Sequence, residues 1–484
     1  MKKISILLCS LFISISAFSQ DNFGTGLKFD QKLYEDLPQS VPLVTRSFTA
    51  LPSSFSIKGY APTPQSQGRQ GSCVGWASAF GARTIANAVK NNWQYNTAMI
   101  NQNTYSPSFV YNQIRVNNNC EGAYIENAMK VLNMNGAAKM NEFPYTDQSC
   151  TTSPSSYVLS SASNHKIITY ERLARWDNPV NLVGKVKKAI SEKNPVVIGL
   201  FQYNSLMLDA NKVWIPNTGT NGHAMVVVGY DDNKAGGAFE IMNSWGTNFG
   251  NNGFFWIRYA DFERQIKTAY VLIDKRDDNN INNNTIINVN INTVINNKLG
   301  GELTLKLDTG EDMPIKLADG ATRNFNIVKA TNTTYRVNNT YTSGTQFRIY
   351  LKTKQRGYVY LIGFGSADKS VNKLYPFDNF SDYFNYVDSE IAIPNEDYFI
   401  EFDNNPGRDI LCVLYSKDKL NIDDIVSKAR TSSGDFVSNI KGALSSSIFK
   451  GTDVTFSSNK IAFDANSKSN VEKVVPIFIE MNHK

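Results

Sequence analysis

The sequence predicts an α+β chain, a two-lobed domain followed by a mainly or wholly β region. Three observations carry this expectation. Between Leu51 and Asp274 the apolar spacing is first helical and then strand-like. At Lys275 the composition breaks into a run of Asp and Asn. Beyond that break, apolar residues alternate with polar ones.

In the first domain, Ser106-Pro107 reads as an N-cap followed by proline, opening a helix that carries Phe109, Val110 and Ile114. A second helix is expected over Tyr124 to Asn133, stopping near Gly136. A third spans Asn181 to Lys193, with Leu182, Val186, Ala189 and Ile190 on one face and Pro195 as its stop. Val196 to Phe201, Ala224 to Tyr230, Phe239 to Met242 and Phe254 to Tyr259 follow as strands. Asp277 to Asn284 is too polar to bury a core, and residues 275–285 are assigned to a linker. Beyond it, Ile287, Val289 and Ile291, then Phe347, Ile349 and Leu351, alternate with polar residues. Tyr358 to Phe364 and Ile410 to Tyr415 are further strands, and Asp423 to Ala429 and Phe436 to Leu444 short helices. This β-rich region occupies 286–484, its main domain about 335–480.

The N-terminus sets the expected compartment. Lys2 and Lys3 precede an apolar Ile4 to Ser16 stretch, and Ala17 and Ser19 suit a cut after Ser19. That is a secretory signal peptide over 1–19, too short for a membrane anchor. The mature chain is expected in the periplasm or outside the cell, with no membrane span, after a short leader over 20–50 without clear periodicity. Losing two lysines lowers the formal charge from +6 to +4, and with no clustered Lys/Arg run a nucleic-acid partner is not expected. Of five cysteines, Cys73, Cys120, Cys150 and Cys412 remain after the signal, too few for a disulfide scaffold.

Gln67-Gly68-Arg69-Gln70-Gly71-Ser72-Cys73 turns into a helix running to about Val89. Cys73 therefore sits at a helix N-terminus, where free N–H groups and the helix dipole favour a thiolate. A buried inert cysteine suits this segment equally well. A nucleophile needs a base, and the chain has three histidines. His483 lies at the C-terminal end, and His165 lies in a Ser/Asn-rich connection and reads as a surface residue. His223 opens the Ala224 to Tyr230 strand, where a rigid element holds it in place. Asn243, ending the Phe239 to Met242 strand, suits an acceptor for one imidazole N–H, and Trp245 suits a cover for that bond. Three histidines and no C-x-x-C spacing predict no metal, and no cofactor is expected.

These three segments resemble the Cys, His and Asn boxes of the papain-like (C1) cysteine peptidases, in that family's order. Asn243-Ser244-Trp245-Gly246 through Gly253 is close to the family's Asn box, with Phe249 and Phe254 at its aromatic positions. Gln67, six residues before Cys73, matches the glutamine of the oxyanion hole. His223 lies 150 residues after Cys73 and Asn243 lies 170 after it. The resemblance covers Leu51 to Asp274 and implies a helical lobe beside a β-barrel-like lobe. It implies Cys73 as nucleophile, His223 as general base and acid, Asn243 as orienter and Gln67 in the oxyanion hole. Cys120-Glu121-Gly122-Ala123 is similar to the family's C-x-G-G stretch. The substrate-binding residues so implied are Gly122, Ala123, Gly222 and Trp245, and a Cys120–Cys150 disulfide is implied with them.

The chain departs from the family pattern in three places. Val74 stands where a tryptophan usually follows the nucleophile, Gln70 replaces a cysteine, and the leader is much shorter than the usual inhibitory propeptide. No histidine-bearing occluding loop is present, so an endopeptidase acting on proteins or peptides is the expectation. The competing readings are a catalytically silent binding protein and an amidase of cell-wall peptides. From about Tyr335 the chain resembles a β-rich domain family of unknown function found in bacterial envelope proteins, on Gly357-Tyr358-Val359-Tyr360-Leu361, Leu374-Tyr375-Pro376 and Pro406-Gly407. That module is expected to bind a protein or envelope partner.

Overall fold

The computed structural model describes residues 23–177, 179–202, 206–217, 219–275, 297–318, 327–329 and 334–484. The signal segment, the Asp277 to Asn284 tract and the 287–291 alternation lie outside the described residues.

The helices of the first domain form where caps and apolar faces place them. Ser106 accepts from the Phe109 N–H and opens Pro107–Ile114. Ile125–Met134 buries Ile125, Ala128, Met129 and Leu132. The cysteine segment becomes one helical run: Cys73–Gly75 is α, Trp76–Arg83 is π-helical, and Thr84–Lys90 is α again. Widened turns of this kind often mark functional helices. Every residue from Ser72 to Ala88 is buried.

Facing these helices is an antiparallel sheet in the order Thr169–Arg172, Ile266–Ile273, Val196–Gln202, Asn221–Asp231, Ala238–Met242, Phe254–Arg258, with Ser54–Ser56 added on the Asn221–Asp231 strand. The central strand has His223 paired with Leu200 and is buried from Gly222 to Tyr230. Two covered faces make it a near-continuous apolar run. Arg83 and Asp274 form a fully buried ion pair at 2.9 Å that ties the cysteine helix to the end of the sheet. Cys120 and Cys150 are joined by a disulfide. Closing a loop of about thirty residues contributes roughly 3–4 kcal/mol.

The C-terminal region is a sandwich of two seven-stranded sheets among the described residues. Asn297–Leu307 sits inside one sheet between Gln346–Thr353 and Ile461–Ser467. The other sheet is centred on Val474–His483, Gly407–Ser416 and Gly357–Phe364. The helices Ile422–Thr431 and Phe436–Leu444 cover its outer face, over Tyr360, Ile362, Cys412 and Leu414. Cys412 is buried and free there.

Two expectations change. His483 is not at a loose end: it is 4 % exposed and paired in a central strand, with Nδ1 2.8 Å from an Asp409 oxygen. Strand pairing with Gly407 orders the terminus. His165 is half-buried, its Nδ1 3.3 Å from the Tyr105 hydroxyl, since the helix Ser156–Ala162 delivers it onto that ring.

The two regions meet through a buried carboxylate. Glu171 is 0 % exposed, and neither of its oxygens has a hydrogen-bond partner. The Ser381 hydroxyl, which faces it from the C-terminal region, is engaged with the Tyr383 backbone. Burial pushes the Glu171 carboxyl up to about 8, with Asp382 adding repulsion. The folded protein thus keeps a proton that the unfolded chain releases above about pH 4.5, and stability falls as pH rises from there to about 8. At pH 7 the cost is about 3 kcal/mol. Glu171→Gln is expected to raise stability by about 1–3 kcal/mol at pH 7.5, the amide's own burial taking back part of the gain. It should change little at pH 5. Urea unfolding at both pH values checks this, and an equal effect at the two would refute the linkage.

Candidate active site

Cys73 opens the cysteine helix, completely buried. The Asn221–Asp231 strand passes it and brings the Ala224 backbone against the thiol. One residue earlier, His223 places Nε2 2.8 Å from Asn243 Oδ1. With that oxygen as acceptor, Nε2 carries the proton, and Nδ1 is left unprotonated, buried and without a partner. Trp245 stacks on the imidazole, centroids 4.9 Å apart. The Asn243 oxygen is itself held by the Ser244 N–H at 2.8 Å.

Gln67 is fully buried and fixed on three sides. Its N–H donates to Ser244 O, its carbonyl accepts from the Tyr145 hydroxyl at 2.8 Å, and its Oε1 accepts from Ser244 Oγ at 2.6 Å. The side-chain NH2 is thereby aimed at Gln70 O, 2.9 Å away, and at Thr25 O, 3.4 Å away. Sequence reasoning did not find Ser244 and Tyr145, because an ordinary serine and tyrosine carry no signal until the fold brings them together.

Thr25 belongs to the leader, which sequence reasoning left without structure. Residues 23–29 run through the cleft. Phe23 stacks on Trp245 at 5.0 Å, and the Trp245 indole donates to Gly24 O at 3.2 Å. Gly26 and Leu27 N–H both donate to Gly222 O. Ala123 N–H donates to Gly26 O, and Lys28 N–H to Ala123 O. Gly122, Ala123, Gly222 and Trp245 therefore all lie along one groove, filled by the chain's own leader. The approach demands glycine: a Cβ on Gly122 would stand 2.0 Å from Gly26 O, and one on Gly222 2.1 Å from Leu27 O. The available signal was Gly24-Thr25-Gly26 itself, a pair of glycines flanked by Phe23 and Leu27.

The cover decides the electrostatics. Burial pushes the Cys73 thiol up to about 12, partly offset by backbone groups of Ala224 and Leu27, and pushes the His223 imidazole down to about 4, against the Asn243 bond. Both groups are neutral beneath the leader. The leader carbonyl near the Gln67 amide is that of Thr25, and the leader backbone against the thiol is that of Leu27. Among the described residues no group of three or more His, Cys, Asp or Glu is arranged to hold a metal ion, and no helix is long and apolar enough to cross a membrane.

A helical lobe faces an antiparallel sheet with Cys73, His223 and Asn243 at the seam, and this is the part of the chain that is similar to papain-like cysteine proteases. Residues 52–273 match the papain family cysteine protease, and residues 340–419 match a domain of unknown function. The chain is 26% identical over 250 residues to an uncharacterized peptidase C1-like protein of Acanthamoeba polyphaga mimivirus, covering 47% of this chain and 76% of that protein. It is 27% identical to cathepsin K of Gallus gallus over 41% of this chain and 55% of the relative. Among solved structures it is similar to xylellain, a cysteine protease from Xylella fastidiosa, with 26% identity, a TM-score of 0.43 and coverage of 53% of this chain and 97% of that one.

Proposed function

We propose that this chain is an exported cysteine endopeptidase, made with its cleft covered by its own leader. The carrying observation is the His223–Asn243 bond, which leaves Nδ1 free on the strand that passes Cys73. Once the leader leaves and water enters, the desolvation that keeps both groups neutral is lifted. The Cys73 proton then passes to His223 Nδ1, as the handedness of the Asn243 bond allows. The thiolate attacks a peptide carbonyl, Gln67 and the Cys73 N–H receive the oxyanion, and His223 returns the proton to the leaving amine. Water hydrolyses the resulting thioester. His223, Asn243, Gln67 and Cys73 act here in the roles the sequence resemblance implies.

The groove also supports a specificity. Phe29 lies against Phe201 at 4.4 Å and Trp176 at 6.2 Å, beside Gly199 and Gly222. The absence of side chains at those two glycines makes room for a bulky apolar or aromatic residue of a substrate two or so positions from the cut. A chain beginning at Asp30, which retains the cap of the Gln31–Glu35 helix, is the form to assay. It should cleave casein and aromatic-containing peptides and leave cell-wall peptide fragments intact, and Cys73→Ala should abolish turnover. Cleavage of the cell-wall fragments alone would favour the amidase reading, and a folded chain with no turnover on either would favour the silent binding protein.

A further inference from the structure

We infer that the C-terminal β module is the retainer of the leader, binding residues 39–46 at its edge and so holding residues 23–29 in the cleft. The inference rests on the cleft being the active site proposed above.

The leader continues from the cleft through the helix Gln31–Glu35, whose Tyr34 is buried against Tyr270. It then enters a seam between the two regions. Gln39 bridges on both sides at once, to Arg172 of the peptidase sheet and to Phe380 of the module. The bonds alternate along it: Arg172 N–H to Pro38 O, Ser40 N–H to Arg172 O, Gln39 N–H to Asn379 O and Ser381 N–H to Gln39 O. A short extended segment thus lies between the edge strand Thr169–Arg172 of the peptidase sheet, which accepts it as an edge accepts an added strand, and a turn of the module.

Further along, the leader belongs to the module. Val41 is 4 % exposed and packed in the core of the β sandwich. Leu43 bridges to Ile391, Ala392 N–H donates to Pro42 O, and Val44 N–H donates to Glu390 O. Thr45 donates its N–H and its hydroxyl to Glu396, and Arg46 pairs with Glu390. Only after this does the chain return to the peptidase domain at Leu51. Without the module, residues 41–46 would lose these partners, and the contacts of residues 23–40 with the peptidase domain alone would hold the cover. With it, the cover is pre-positioned, and its local concentration over the cleft is raised at no cost to the cleft contacts themselves. The module thereby acts on Cys73 through chain connectivity.

The test uses the full chain and reads the rate of Cys73 alkylation by iodoacetamide at pH 7.5, which reports the cover whether or not the protein turns over substrate. Val41→Asp places a charge in the sandwich core and is expected to raise alkylation at least tenfold towards the rate of the chain beginning at Asp30. Glu396→Ala, which removes only the exposed bonds to Thr45, is expected to raise it two- to fivefold and keeps the question open to a negative answer should Val41→Asp fail to fold. Leader release should be visible in parallel as faster nicking by thermolysin between residues 30 and 50. Unchanged alkylation in a folded Val41→Asp chain, or in Glu396→Ala when Val41→Asp does not fold, overturns the inference. If both variants alkylate faster yet neither they nor the Asp30 chain cleaves peptides, the retainer stands and the peptidase reading falls.

Discussion

A chain that begins at Asp30 is expected to alkylate at Cys73 at least about a thousandfold faster at pH 7.5 than the full-length protein. The reason lies in what the leader does to the thiol. Beneath residues 23–29 burial holds Cys73 at about 12. An ordinary solvated cysteine lies near 8.5, and one at a helix start beside an imidazole lies lower still. Only the thiolate reacts, so each unit between these values is a factor of ten in rate. The sign follows directly: in the covered protein the rate should keep climbing with pH far above neutrality, whereas in the opened one it should level off well below pH 8. His223→Ala in the opened chain should move that levelling-off back towards pH 8.5, because the thiolate loses the cation that stabilises it. A profile in the opened chain that rises only near 8.5 with His223 intact would show that Cys73 and His223 do not work as a pair.

Gln67→Ala is expected to lower kcat of the opened chain by about a hundred- to a thousandfold, the usual loss for one oxyanion donor. KM should move little, since the donor gains its bond as charge develops on the oxygen. The structure explains why the loss should be this large. The Gln67 amide is held by Ser244 Oγ on its oxygen side, and its backbone is anchored at both ends. The donor is therefore aimed before substrate arrives, and no reorganisation is needed during reaction. Ser244→Ala should show the same kind of effect at about three- to tenfold, acting through the aim of Gln67. The alkylation rate of Cys73 separates this role from a structural one. If Gln67→Ala lowers alkylation as much as turnover, the glutamine serves the shape of the site and does not stabilise an oxyanion.

Much of this was legible in the residues. The caps and stops of Pro107–Ile114 and Leu182–Ser191 are local chemistry, a serine before proline in one case and a proline after the helix in the other. The Asn221–Asp231 strand announces itself as an apolar run because both its faces are covered. Cys73, His223 and Asn243 stand out because the chain holds few histidines and because each of the three sits where an element starts or ends. Local sequence determines such positions, since helix ends and strand ends are set within a few residues.

The state of the site was not legible, and only the tertiary structure decided it. No property of Cys73 in sequence says that burial drives its thiol up to about 12, or that backbone groups of Leu27 and Ala224, forty-six and 151 positions away along the chain, offset part of that rise. The leader shows no periodicity because its side chains do not line one face. Phe23 stacks on Trp245, Tyr34 enters the peptidase core and Val41 the β sandwich, each answering to a different surface. Glu171 carries no signal in the sequence and His483 reads as a terminal histidine, and both are buried by distant partners. Burial and charge depend on groups brought from far along the chain, and a periodic pattern records only the one face an element presents to its own layer.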